Sequence, residues 1–138
     1  LSPDVLARKL AKLRVFLSDL RPYEGASIPA VEADHYRVER LLQLLVEVAT
    51  DILAHELANL GVVPASYRDA VRKSVAEGLL PEALGESLER AAGLRNVLVH
   101  LYEELDMEIL TASVEPALND FGEFLELFQA RLEEMENG

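Results

Sequence analysis

Four polar residues interrupt an otherwise apolar stretch: Arg95, Asn96, His100 and Tyr102 lie among Leu94, Val97, Leu98, Val99 and Leu101. Burying such groups costs free energy unless they are paired or used, so their identities are informative. In a helix turning about 100° per residue, Asn96 and His100 share one face a turn apart, where the amide can fix the imidazole's orientation and tautomer. Arg95 and Tyr102, seven positions apart, share a second face, and Arg95 and His100 point about 140° apart. These two converge on one phosphate if the long Arg side chain bends round or the helix loosens near its end. Alternatively, a second subunit supplies the partner. The plain alternative is a satisfied Asn96–His100 pair with Arg95 salt-bridged to an acidic neighbour, and spacing alone favours it.

Other chemistries find less support. His35, His55 and His100 are the only histidines, and no two of them have the i, i+4 spacing that sets a pair of metal ligands on one helical face. His55-Glu56 begins an H-E-x-x-H pattern, but Asn59 stands where the second ligand belongs. We therefore expect no metal site. The chain contains neither G-x-x-x-x-G-K nor G-x-G-x-x-G, so the common phosphate-cradling loops are missing and no cofactor is expected. With no cysteine, thiolate nucleophiles and disulfides are excluded.

The elements that position the four residues are helices. Leu6, Leu10, Leu13, Leu17 and Leu20 form the stripe of a first helix over about residues 3–21, opened by Ser2-Pro3-Asp4. Pro22, Gly25 and Pro29 mark residues 22–33 as a connecting loop. Val38, Leu41, Leu45, Val48 and Ile52 carry a long second helix that Gly61 stops. A short third helix runs through Tyr67, Val71 and Val75 and ends near Gly78. A fourth, opened by Pro81, has Leu84, Leu88, Ala91, Leu94 and Leu98 as its apolar stripe and bears the polar set. Asp106 caps a fifth, with Leu118, Phe121, Leu125, Phe128, Leu132 and Met135 in phase and Pro116 expected to kink or interrupt it. No segment alternates as a strand does. The expected architecture is all-α, a four- to five-helix bundle in one domain over residues 1–138.

The net charge of −12 works against diffuse attraction to nucleic acid, since backbone binding rests on Lys and Arg displacing counterions. Residues 96–138 hold one basic residue, Arg131, against eleven acidic ones, whereas residues 1–21 hold five basic against two acidic. A nucleic-acid surface must therefore be local, drawn from Arg8, Lys9, Arg37, Arg40, Arg68, Arg72, Lys73, Arg90 and Arg95. Most such residues lie on solvated helix faces in any protein. No export signal and no stretch of roughly 18 apolar residues is read, so a cytoplasmic location without membrane association is expected.

The run from Gly93 to Tyr102 resembles the R-x-x-x-x-H-x-Y signature of HepT-like HEPN proteins, including the Asn that follows the Arg. Glu39-Arg40-Leu41-Leu42-Gln43 is similar to the start of that family's second helix, and Ser66-Tyr67-Arg68-Asp69-Ala70 to its third. The resemblance runs from about Arg37 to Phe128. Asp51 and His55 also fit a D/E-x-x-x-K/H pattern seen on an earlier HEPN helix, which marks them as a secondary site; an ordinary i, i+4 contact explains them equally well.

The resemblance implies a HEPN-type bundle and a metal-independent endoribonuclease toxin, acting as a homodimer on an RNA substrate. It further implies a cognate minimal nucleotidyltransferase antitoxin that transfers AMP to Tyr102. In that reading Arg95 and His100 are catalytic and Asn96 orients His100 or contacts the backbone. A non-catalytic helical adaptor or regulatory partner of a nucleotidyltransferase is the alternative that the acidic charge favours. An enzyme acting on a small nucleotide would share the same site chemistry.

Overall fold

Most of the helices begin where a side chain satisfies unpaired N–H groups. In the computed structural model, which describes residues 2–100 and 106–138, with backbone alone at 92 and 94–100, helix α1 spans Pro3–Leu20. Its Ser2 hydroxyl accepts from the Val5 N–H. The five leucines of its stripe are all buried. A 3-10 turn at Arg21–Tyr23 leads to Gly25, whose φ of 70° lies in the left-handed region.

The segment read as a plain loop holds a further element, α2 (Ile28–Ala33), capped by the Ser27 hydroxyl at Ala30 N–H. Pro29, a breaker in the interior of a helix, is harmless in its first turn, and Val31 is fully buried. The long α3 (His35–Asn59) ends in a Schellman motif. There Val62 N–H donates to Leu57 C=O and Gly61, at φ 76°, donates to Ala58 C=O.

Helix α4 (Tyr67–Ala76) is capped by Ser66, whose hydroxyl accepts from Asp69 N–H at 3.1 Å, while the Asp69 carboxylate reaches back to Ala65 N–H at 2.7 Å. Lys73 lies 2.8 Å from the same carboxylate, and its hydrogen bond holds the Asp69 pKa below the usual carboxylate range. Helix α5 (Glu82–His100) follows Pro81. Helix α6 (Met107–Asn137) starts at Asp106, whose carboxylate accepts from both Glu108 and Ile109 N–H. It runs unbroken past Pro116, with Leu110, Val114, Ala117 and Leu118 buried around it, so packing outweighs the proline's local penalty.

Among the described residues there are six α-helices and no strand. Helix α1 packs on α3 and α6, and the α4–α5 hairpin packs on α3. One continuous core joins them, centred on Phe121, Phe124 and Phe128 with the α1 leucines and Leu45, Ile52 and Leu53 of α3. Phe124 and Phe128 stack with ring centroids 4.5 Å apart, and the Arg131 guanidinium lies over Phe128 while donating to Leu79 C=O. No helix among the described residues is long and apolar enough to cross a membrane.

Candidate active site

Helix α5 is held against α4 by close, small-residue contact. A Cβ placed on Gly85 would collide with Val75, so a glycine is needed there for the two helices to approach. One turn on, Arg72 of α4 donates to Glu89 of α5 at 2.7 Å. A further turn on, a Cβ placed on Gly93 would come within 2.7 Å of the Arg68 guanidinium. These three pairs define one antiparallel register. Helix α4 begins at Tyr67, so α5 continues about two turns beyond the start of its partner.

Those last turns carry Arg95, Asn96 and His100. The backbone is helical through His100, so the register relations hold without local unwinding: Asn96 and His100 follow Gly93 on one face, and Arg95 faces elsewhere. The helix does not loosen before His100, so the expected convergence of Arg95 and His100 on one phosphate would need a bent Arg side chain or a second subunit. Tyr102 lies outside the described residues.

Asp51 and His55 stand one turn apart on α3, with His55 Nε2 3.4 Å from Asp51 Oδ1. Lys9 of α1 pairs with the other Asp51 oxygen. The three residues thus form an ion-paired surface tie between α1 and α3, with Asp51 and His55 each about half exposed. His35 is engaged by Glu39 at 2.8 Å. Among the described residues no group of three His, Asp or Glu gathers as a metal site would require.

Sequence reasoning missed a cleft of about 330 Å³ between α3, α5 and α6, lined by Val46, Ser87, Arg90, Ile109, Pro116 and Asp120 among others. Its walls are mostly apolar, with Ser87, Arg90, Ser113 and Asp120 as the polar members. Burial pushes the Asp120 carboxyl above its ordinary range, opposed by the Arg90 charge, reinforced by Glu123 and opposed again by a hydrogen bond to Ser87. The available signal was an aspartate directly before Phe121 in the most deeply buried stretch of α6.

Known proteins share this fold. The mRNA nuclease HepT of Shewanella oneidensis is 34% identical over 91 residues, 64% of this chain and 68% of that protein. The tRNA nuclease HepT of Aphanizomenon flos-aquae is 27% identical over 126 residues, 88% of this chain and 85% of that protein. The tri-AMPylated Shewanella oneidensis HEPN toxin, solved in complex with MNT antitoxin, superposes with a TM-score of 0.82 at 26% identity, over 92% of this chain and 98% of its own. A toxin–antitoxin structure with AMP-PNP gives 0.81 at 25% identity, over 92% and 98%. With the pattern of that family matched over residues 7–128, this chain belongs to the ribonuclease HepT-like family.

Proposed function

We propose that this HepT-like ribonuclease is the toxin of a toxin–antitoxin pair and cleaves RNA through Arg95 and His100, with the RNA's own 2′-hydroxyl as nucleophile. The observation that carries the reading is the family signature, whose Arg95 and His100 lie on the last turns of α5, in a fold shared with an AMPylated HEPN toxin. The 2′-oxygen attacks the adjacent phosphorus and the 5′-oxygen leaves, forming a 2′,3′-cyclic phosphate and a 5′-hydroxyl. This route restricts the substrate to RNA and asks the protein to move protons and stabilise charge.

Histidine is the side chain that changes charge nearest neutral pH, and His100 takes the proton from the 2′-hydroxyl or returns one to the leaving oxygen. Arg95 stays protonated and offers a planar fork of donors to the non-bridging oxygens as negative charge gathers on them. Asn96, one turn before His100, positions the imidazole. The helical register of α5 separates Arg95 from His100, so a homodimer that pairs Arg95 of one protomer with His100 of the other resolves the divergence. Residues 1–138 act as one domain in this account, in the cytoplasm.

Tyr102 is the switch. Its phenol oxygen attacks the α-phosphorus of ATP held by a minimal nucleotidyltransferase antitoxin, pyrophosphate leaves, and the attached AMP blocks the site. The likeness to a tri-AMPylated toxin bound to MNT antitoxin supports this step.

The test is cleavage of a 5′-labelled RNA by purified, unmodified protein in excess EDTA. Cleavage unaffected by the chelator is expected. Activity lost in EDTA and restored by magnesium contradicts the mechanism.

A further inference from the structure

We infer that Arg68 is a substrate-binding residue that holds an RNA phosphate flanking the cleaved bond; the inference rests on the ribonuclease reading above. Helix α4 carries three bases. Arg72 is engaged by Glu89 and Lys73 by Asp69, at 2.7 Å and 2.8 Å. Arg68 is exposed, and no carboxylate pairs with it among the described residues. Its guanidinium lies across α5 at Gly93, the one position there where a missing Cβ leaves it room.

Gly93 is also where the α5 face bearing Asn96 and His100 emerges from beneath α4. Successive steps of four, three and four lead from Glu89 through Gly93 and Asn96 to His100, all within about 60° of Gly93 around the helix. Arg95, two positions past Gly93, is about 160° away on the opposite side. Beside that face Arg68 is a cation with no carboxylate partner among the described residues, supplied in cis by the neighbouring helix. Seven residues separate Gly93 from His100, a rise of about 10 Å. At that distance Arg68 meets a neighbouring phosphate of the strand and not the one undergoing attack. In a chain with net charge −12, a cation without a carboxylate partner among the described residues, beside the motif, gives RNA the local attraction that the bulk surface denies it.

Binding, cleavage and thermal unfolding of four proteins test this. Binding of a fluorescent, fully 2′-O-methylated RNA, which cannot be cleaved, is followed by anisotropy across a salt series, and cleavage of the unmodified RNA is resolved into kcat and KM. Arg68→Ala is expected to weaken binding and raise KM about five- to tenfold, leave kcat within about twofold, and flatten the log–log salt dependence by about one charge. Arg68→Lys should recover part of the loss, since a charge remains without the planar fork.

Gly93→Ala keeps the charge but pushes the guanidinium aside. It should weaken binding in the same direction with a melting temperature equal to or above wild type, because alanine suits a helix better than glycine. Binding and KM of Arg68→Ala equal to wild type, with wild type cleaving, overturn the role of Arg68 and leave the ribonuclease reading intact. Wild type that binds through Arg68 but never cleaves overturns the chemistry assigned to Arg95 and His100 instead. Wild type that does not bind the RNA, or an Arg68→Ala defect matched by an equal fall in kcat and melting temperature, overturns the inference.

Discussion

Replacing either His100 or Arg95 with alanine is expected to cut RNA cleavage at least about 100-fold while leaving far-UV helicity unchanged. A positioned proton-transfer group contributes roughly 10²- to 10⁴-fold, and a donor aimed at developing charge about 10²- to 10³-fold. The fold should survive because, among the described side chains, α5 is anchored in the core by Leu84 and Leu88, and the core is built mainly by α1, α3 and α6. Mixing the two inactive variants under conditions that allow subunit exchange should restore part of the activity. A mixed dimer has one site with both groups lost and one with both intact. A single variant that cleaves like wild type removes that residue from the mechanism. Activity that does not return on mixing, with exchange confirmed, removes the shared site.

Co-expression with a cognate nucleotidyltransferase is expected to add AMP to Tyr102, raising the intact mass by roughly 330 Da per unit and suppressing cleavage nearly completely. Tyr102 and Arg95 are seven residues apart in the sequence, a spacing that on a helix would set them on one face, where an attached phosphate group would be drawn toward the guanidinium proposed to serve the substrate. Silencing by this route is steric and electrostatic, and the modified protein should unfold at a temperature close to that of the unmodified one. Tyr102→Phe should fold, keep most of its cleavage activity and escape neutralisation. Intact-mass spectra with no added AMP, or a Phe variant silenced as fully as wild type, would remove Tyr102 from the role of AMP acceptor.

Most of the fold was legible because periodic apolar residues report directly on which face is buried. Every leucine of the α1 stripe is buried, as are Leu118, Phe121, Phe128 and Leu132 of α6. Met135 shares that α6 phase yet is 39% exposed, since the helix there has run past its partners. The segment 22–33 misled for a physical reason. Proline and glycine read as breakers, but Ser27 followed by Pro29 is also how a helix begins, and one buried residue, Val31, gives α2 too little pattern to notice. Pro116 misled in the other direction, its local cost being overridden by the packing of α6.

The site was legible to a different degree. The spacing of Arg95, Asn96 and His100 taken alone favoured a plain buried pair, and the family signature changed that balance. What no spacing reveals is contact between helices. The Arg68 approach to Gly93 links positions 25 residues apart, and the Ser87–Arg90–Asp120 cleft joins α5 to α6; both exist only once the helices are packed.

The central claim, that Arg95 and His100 drive attack by the RNA's own 2′-hydroxyl, is tested most directly by the chemistry of the product ends. Mass spectrometry of oligoribonucleotide fragments made by the unmodified protein in EDTA should find a 2′,3′-cyclic phosphate on the upstream fragment and a 5′-hydroxyl on the downstream one. A 3′-hydroxyl paired with a 5′-phosphate would require water as the nucleophile and would contradict the account.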